Sequence, residues 1–425
     1  MTGEPEVYAE EFDVLVRNEA EITFRQFLDD YRRGEVAPRY ESDEKADLSG
    51  MPPARYDLLR HPKRYVNFTL QFSRGCPHEC EFCDATTSLG RRQRTRPVEA
   101  FLRDLEAILA RGYRGLVFIA DDNFAASPRK AIELCHALQA WNESHGNPFS
   151  YYTEAGLDIA QDDQLLDGLE QARFESIFIG LETPSNESLA GAGKRQNVGV
   201  DAERAVRKIQ SHSIRVDGGF VVGFDTDTPD IFQRQARFIE EIGVSQAMVG
   251  ILTALPGTPL FRRLRSAGRL LFDRTPLDLS GDGECYNVGG HVNFAPANFS
   301  RKELLAGYSR LLADIYHPGR YFDRVLKQIS RMRPDPRFPR ATRKWRFFVF
   351  PLLSLAILFC WRFRGHYLRA AAVALLRHPR LIREFAFLSM CGIHYVEFTH
   401  RKVLPWIDRE IARLRTEQRR APESH

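Results

Sequence analysis

From Val66 onward, short apolar, β-branched runs alternate with amphipathic stretches. The runs are YVNFTLQF, GLVFIADDNF, FSYYTEAG, SIFIGLET, VDGGFVVGFD and AMVGILTAL, and between them lie segments such as VEAFLRDLEAILARGY and PRKAIELCHALQAWNESHG. Apolar positions in these segments recur three and four apart, the period of a helix with one buried face. The first of them ends near Gly112, a residue suited to a helix C-cap. Strand followed by helix, repeated, predicts parallel pairing through crossover connections. Six repeats are too few for a closed eight-stranded barrel. The expected fold is therefore α/β, a partial (β/α)6 TIM-like barrel with a helical C-terminal region.

Barrels of this kind gather their chemistry at the C-terminal ends of the strands. Polar residues fall there in successive units: Asp121, Asp122 and Asn123 after the second run, Glu154 in the third, Glu182 in the fourth and Asp225 after the fifth. One such residue is ordinary turn chemistry. Their recurrence marks that rim as the candidate site.

The flanks read differently. Residues 1–65 are polar and interrupted by proline, with one amphipathic helix carrying Phe24, Phe27, Leu28 and Tyr31, too little for a domain. After Leu260 the pattern loosens: GDGECYNVGGHVNF reads as a loop over the barrel mouth, and SRKELLAGYSRLLADIY as a helix capped by Ser300 with Glu303 three residues on. The expected division is a segment over 1–65, a barrel over 66–275 and a helical, basic region over 276–425. Within the last, FFVFPLLSLAILFCW (347–361) is fifteen residues long and contains Pro351, short of the roughly 20 that span a bilayer. A segment lying in the membrane interface and a buried core helix both suit it.

Charge sharpens this picture. The net formal charge is only +4, yet residues 320–425 hold 23 Lys and Arg against 8 Asp and Glu, which leaves −11 for residues 1–319. Such a split predicts an anionic surface opposite the C-terminal quarter, a membrane or a nucleic acid, or else a solvated helical face. The N-terminus is acidic and lacks an export signal. Seven cysteines, an odd number with three in one loop, do not form the framework of a secreted protein. The expected location is the cytoplasm, peripheral on the inner face of the membrane where the basic region docks.

That loop is SRGCPHECEFCD, with Cys76, Cys80 and Cys83 in Cys-x3-Cys-x2-Cys spacing directly after the first strand. A structural zinc or an electron-transfer cluster usually takes four protein ligands. His78 is poorly placed for that role inside so tight a loop. Cys135 sits on a helix, Cys360 and Cys391 are distant, and only Cys285 lies in a loop near the mouth. Three thiolates around a cubane leave one iron open to an exogenous molecule, which is a catalytic arrangement.

With Phe82 before the last cysteine and βα repeats behind it, the loop resembles the radical S-adenosylmethionine (SAM) superfamily over about residues 66–275. The resemblance implies a 4Fe-4S cluster on Cys76, Cys80 and Cys83, SAM on the open iron, and cleavage of SAM to a 5′-deoxyadenosyl radical. It implies an electron from a reductant such as ferredoxin or flavodoxin. Phe82 would lie against the adenine. Asp121, Asp122 and Asn123 stand where many relatives have a Gly-Gly-Glu-like stretch that binds the SAM amino group, and the residues themselves differ. Glu154 and Glu182 would contact the ribose or methionine, and Arg195, in GKRQN, would pair with the SAM carboxylate.

FIADDNF, FIGLETP, GGFVVGFDTDTPDIF and ILTALPGTPL are similar to the cobalamin-associated subgroup that carries a C-terminal domain of uncharacterised function and includes the hopanoid C-2 methylases. Those proteins have a cobalamin-binding domain ahead of the barrel. Here only about 65 residues precede it, no Asp-x-His-x-x-Gly signature occurs, and residues 13–36 resemble the tail end of such a domain. A start cut short, cobalamin from a separate subunit, and a reaction without cobalamin all remain open. The leading expectation is a radical SAM enzyme methylating an unactivated carbon of a small-molecule or lipid-like substrate, and nucleic acid is not the expected partner. RNA modification and a non-catalytic iron-sulfur redox protein are the alternatives.

Overall fold

The computed structural model describes residues 12–272, 292–334, 355 and 364–420. Most of the Gly-rich stretch read as a loop over the barrel mouth, Cys285, Cys360 and, apart from Leu355, the apolar run 347–361 lie outside the described residues.

The chain opens with a small parallel βαβ unit, β1 (Leu15–Arg17), α1 (Ala20–Arg33) and β2 (Arg39–Glu41). Gly34, at φ 76°, stops α1 in a left-handed C-cap. Phe24, Leu28 and Tyr31 on α1 stay exposed. Then follow β3 (Asn67–Leu70), the short ribbon of β4 (Ser73–Arg74) with β5 (Arg94–Thr95), and α2 (Ala85–Leu89) between its strands. The remaining units are α3 (Val98–Ala110), β6 (Gly115–Ile119), α4 (Pro128–Ser144), β7 (Phe149–Ala155), α5 (Asp163–Gln171), β8 (Phe174–Glu182), α6 (Asn186–Gly191), α7 (Ala202–Ser211), β9 (Arg215–Val222), α8 (Ile231–Ile242), β10 (Ala247–Ile251) and α9 (Pro259–Ser266). The main sheet is wholly parallel, ordered β3-β6-β7-β8-β9-β10. It curls into the expected half-barrel.

Alternation along the strands separates two faces. Phe68, Leu70, Val117, Ile119, Tyr151, Ile177, Ile179, Val216, Phe220 and Val222 are buried on the convex side. Phe118, Tyr152, Glu154, Phe178 and Asp217 point the other way and are only half-buried, and Met248 is 46% exposed. Parallel sheets ordinarily bury both faces. A concave face left open is the wall of a cavity.

The half-barrel has two margins, β3 and β10. At β10 the unpaired carbonyls are met by tyrosines of α10 (Arg301–Ile315): the Tyr308 hydroxyl donates to Val249 O at 2.8 Å and the Tyr316 hydroxyl to Ala247 O at 2.7 Å. The helix starts in the capping box expected from Ser300 and Glu303. Four more helices follow among the described residues, α11 (Pro318–Arg331), α12 (Arg364–Arg377), α13 (Ile382–Phe398) and α14 (Leu404–Arg420). Helix α13 is anchored at the start of β9, where buried Arg215 donates to Glu384 at 3.0 Å and lies 4.5 Å over the Phe387 ring. The C-terminal helices thus reach the N-terminal rim of the sheet and leave the opposite rim to the cysteine loop.

Candidate active site

The loop leaves β3 under local control of Asp121. One Asp121 oxygen accepts from the Phe72 and Ser73 N–H groups at 2.8 and 2.9 Å, and the other from the Ser73 hydroxyl at 2.6 Å. Burial raises its carboxyl to about 6 against these bonds. Both oxygens are taken up by the chain itself, so Asp121 shapes the entry to the loop. Gly75 then turns at φ 96°, where a Cβ would stand 2.6 Å from Arg92 O. Its N–H donates to Asp122.

Cys80 receives a hydrogen bond from Gln196 Nε2 at 3.7 Å, while the His78 backbone and Asn123 side chain at Cys76 and the Ala85 backbone at Cys83 favour the thiolate against burial. Burial pushes the Cys83 thiol up to about 12 and raises the other two. Among the described residues no three His, Cys, Asp or Glu side chains converge as they would on a single metal ion. Of the other described cysteines, Cys135 is buried in α4 and Cys391 lies on α13 near Arg215. Neither is on this rim.

The GKRQN segment closes one side. Gly193, at φ 72°, lets the backbones touch: a Cβ there would lie 2.4 Å from Glu79 O. The next residue, Lys194, turns inward, with Nζ 2.5 Å from Glu182 Oε1 and both side chains buried. Burial disfavours its charge, but Glu182 and the neighbouring sulfurs outweigh this and hold its pKa above the ordinary value. Arg195 faces solvent. Glu182 has φ 63°, and Thr183 N donates to Leu181 O at 2.9 Å, closing a γ-turn at a break in the β8–β9 register. A glutamate in that conformation is strained.

The rim also carries acceptors. Glu154 is half-buried with no donor to its carboxylate among the described residues, and burial and Asp122 raise its pKa. Asn123 Oδ1 and Asn197 Oδ1 are buried without hydrogen-bond partners among the described residues. Phe82 packs edge-on against Phe224 at 6.0 Å. The rim therefore holds unpaired carboxylate and amide oxygens as well as a buried ammonium.

The family model described as the radical SAM superfamily matches residues 70–239, the span from the end of β3 into α8. The half-barrel is a radical SAM domain. A second model, a domain of unknown function (DUF4070), matches residues 258–404, the C-terminal region that the subgroup resemblance anticipated. An uncharacterized methyltransferase of Synechocystis is 36% identical over 73% of the chain and 56% of its own length. The hopanoid C-2 methylase of Rhodopseudomonas palustris is 35% identical over 55% and 44%. The chain thus spans about half the length of these curated relatives. Among solved structures, the cobalamin-dependent SAM radical enzyme OxsB superposes with a TM-score of 0.56 at 15% identity, covering 95% of this chain and 70% of that one. It shares the radical SAM fold.

On this radical SAM rim the structure brings together Cys76, Cys80, Cys83, Phe82, Asp122, Asn123, Glu154 and Glu182. Sequence reasoning missed Lys194 and Gln196. Their signal was present in GKRQN, the segment already singled out for Arg195.

Proposed function

We propose that the chain is a radical SAM enzyme that holds a 4Fe-4S cluster on Cys76, Cys80 and Cys83 and methylates an unactivated carbon of an apolar, lipid-like small molecule. The observation that carries this is the three-thiol loop on the C-terminal rim of an open half-barrel, with polar donors gathered round it, Gln196 on the Cys80 sulfur among them. Such donors are what buried cluster sulfurs use. A cluster held there with SAM on its open iron supplies one-electron cleavage of the sulfonium and a 5′-deoxyadenosyl radical; the electron comes from a small reductant protein.

The chain's own residues do the positioning. The Glu154 and Asp122 carboxylates and the free Asn123 oxygen suit the ammonium and ribose hydroxyls of SAM. Lys194, with Arg195 at the same turn, suits its carboxylate, and Phe82 suits the adenine. The concave wall, where the Phe118 and Tyr152 rings stack at 4.5 Å on the face that also carries Phe178 and Met248, suits an apolar substrate. The names of the relatives support methylation. The chain lacks an Asp-x-His-x-x-Gly signature, so no cobalamin contact is assigned to it and no step is routed through that cofactor.

Access to a lipid-like substrate fits a membrane-facing C-terminal region. Helix α12 exposes Leu368 and Leu376, 51% and 83% exposed, offset by about 80° around the helix axis, with Arg377 and Arg380 exposed just beyond Leu376. No helix among the described residues is long and apolar enough to cross a membrane. The test of the core reading is anaerobic reconstitution with iron and sulfide, then reductant and SAM, with 5′-deoxyadenosine read by mass spectrometry. Product is expected from wild type and not from a Cys76→Ala, Cys80→Ala, Cys83→Ala variant. A cluster that forms in wild type but leaves SAM intact would sink the catalytic reading.

A further inference from the structure

Glu81 lies between Cys80 and Cys83, and every polar group it has is engaged. Its N–H donates to Ala192 O at 2.9 Å, and its carbonyl accepts from Leu260 N at 2.9 Å. Its carboxylate takes a fork from Arg263, Nε at 2.9 Å and Nη2 at 2.7 Å. Arg263 is on α9, far from the loop in sequence, and its remaining Nη1 donates to Asp225 at 2.6 Å. Asp225, just past β9, is shared with Arg269, whose two terminal nitrogens donate to it at 3.1 and 2.6 Å. Arg269 continues outward: its Nε donates to Ala295 O at 2.9 Å, and its own carbonyl accepts from Ala295 N at 2.7 Å. Asn298 completes the hub by donating to Asp225 O at 2.8 Å.

The result is an alternating chain of two carboxylates and two guanidinium groups with no net charge. It runs from the cysteine loop, across the end of β9, to the segment that leads into the C-terminal helices. Isolated exposed ion pairs contribute little. This one differs in two respects: the Arg263 fork fixes direction as well as distance, and the residue it grips is already pinned by its backbone on both sides. Such a grip leaves the loop one path between two of its cysteines. Phe82, the next residue, packs on Phe224, the residue before Asp225. Both contacts therefore close on the same strand end.

We propose that Arg263, oriented by Asp225, is a positioning residue that sets the path of the chain between Cys80 and Cys83, and through it the shielding and SAM response of the cluster. The proposal rests on the reading that this loop holds a 4Fe-4S cluster. It also removes Asp225 from the groups available to substrate, because its carboxylate is fully committed to Arg263 and Arg269.

The test uses the full chain as wild type, Arg263→Ala, Arg263→Lys and Asp225→Asn, each reconstituted anaerobically. Two properties are followed: loss of the iron-sulfur absorbance to a chelator, and the electron paramagnetic resonance signal of the reduced cluster before and after SAM. All four should bind a cluster and unfold at similar temperatures. Arg263→Ala and Asp225→Asn should lose it roughly fivefold faster than wild type, with the SAM-induced change in the signal weakened, and Arg263→Lys should fall between. Asp225→Asn carries the most weight, since it leaves the Glu81–Arg263 fork in place and touches no part of the loop. Loss rates within about twofold of wild type and an unchanged signal in that variant would overturn the relay. A wild-type chain that takes up no cluster would instead overturn the cluster reading, and the relay with it.

Discussion

A buried ammonium 2.5 Å from a glutamate held at positive φ concentrates cost at one point of the rim. Backbone strain of this sort is worth about 1–3 kcal/mol, and a buried pair broken on one side about 3–5 kcal/mol. Lys194→Gln is therefore expected to lower unfolding stability by about 3 kcal/mol and to weaken SAM binding about tenfold while cluster iron is retained. Isothermal titration of the reconstituted protein measures the affinity. Arg195→Gln, on the exposed side of the same turn, should weaken it less, and the reverse ranking would move the carboxylate contact to Arg195. A second residue makes a pH prediction. Burial raises Asp217 from 3.8 to about 6, against the pull of Arg215 and bonds from Ser176 and Gln246. Its folded pKa exceeds its unfolded one, so the protonated form favours the fold: that contribution is whole below about pH 4 and is lost as pH rises through 6. Asp121, raised in the same way, adds to the slope. Thermal melts from pH 4 to 7 should show wild type losing stability across this window and Asp217→Asn losing less of it; identical slopes would contradict the shift.

Among elements, the strand margin is the most exposed to test. The Tyr308 and Tyr316 hydroxyls supply hydrogen bonds that a seventh strand would otherwise make. Changing either tyrosine to Phe leaves a buried carbonyl short of a donor and should cost about 1 kcal/mol, measured by urea unfolding, and the two together about twice that. The elements themselves were legible from periodicity, because each strand needs one wholly apolar face and each helix one apolar stripe, and six such pairs recur in order. The cysteine spacing was equally plain. What sequence could not show is direction inside irregular turns. Lys194 and Arg195 are adjacent and alike in charge, and no period says which points inward. Gln196 reaches the Cys80 sulfur from another loop, and Arg263 reaches Glu81 across 182 positions. Such contacts exist only once the rim is assembled.

The whole molecule is divided in charge, acidic through the barrel and basic from residue 320 on. A surface of that sign attracts anionic lipid over about a Debye length and is weakened by salt. Flotation with vesicles should recover the wild-type chain with anionic lipid and much less with neutral lipid. A Leu368→Gln, Leu376→Gln, Arg377→Gln, Arg380→Gln variant should stay behind; equal recovery of both would remove the docking reading. The unjoined margins of the sheet carry a further consequence. In a closed barrel, strand number and shear dictate the bore. Here β3 and β10 never meet, so the aperture is set by whatever bridges the gap, which at β10 is a helix held by two hydroxyls. Substrate size can then change by exchanging that bridge, with no strand moving in register and no cysteine moving at all.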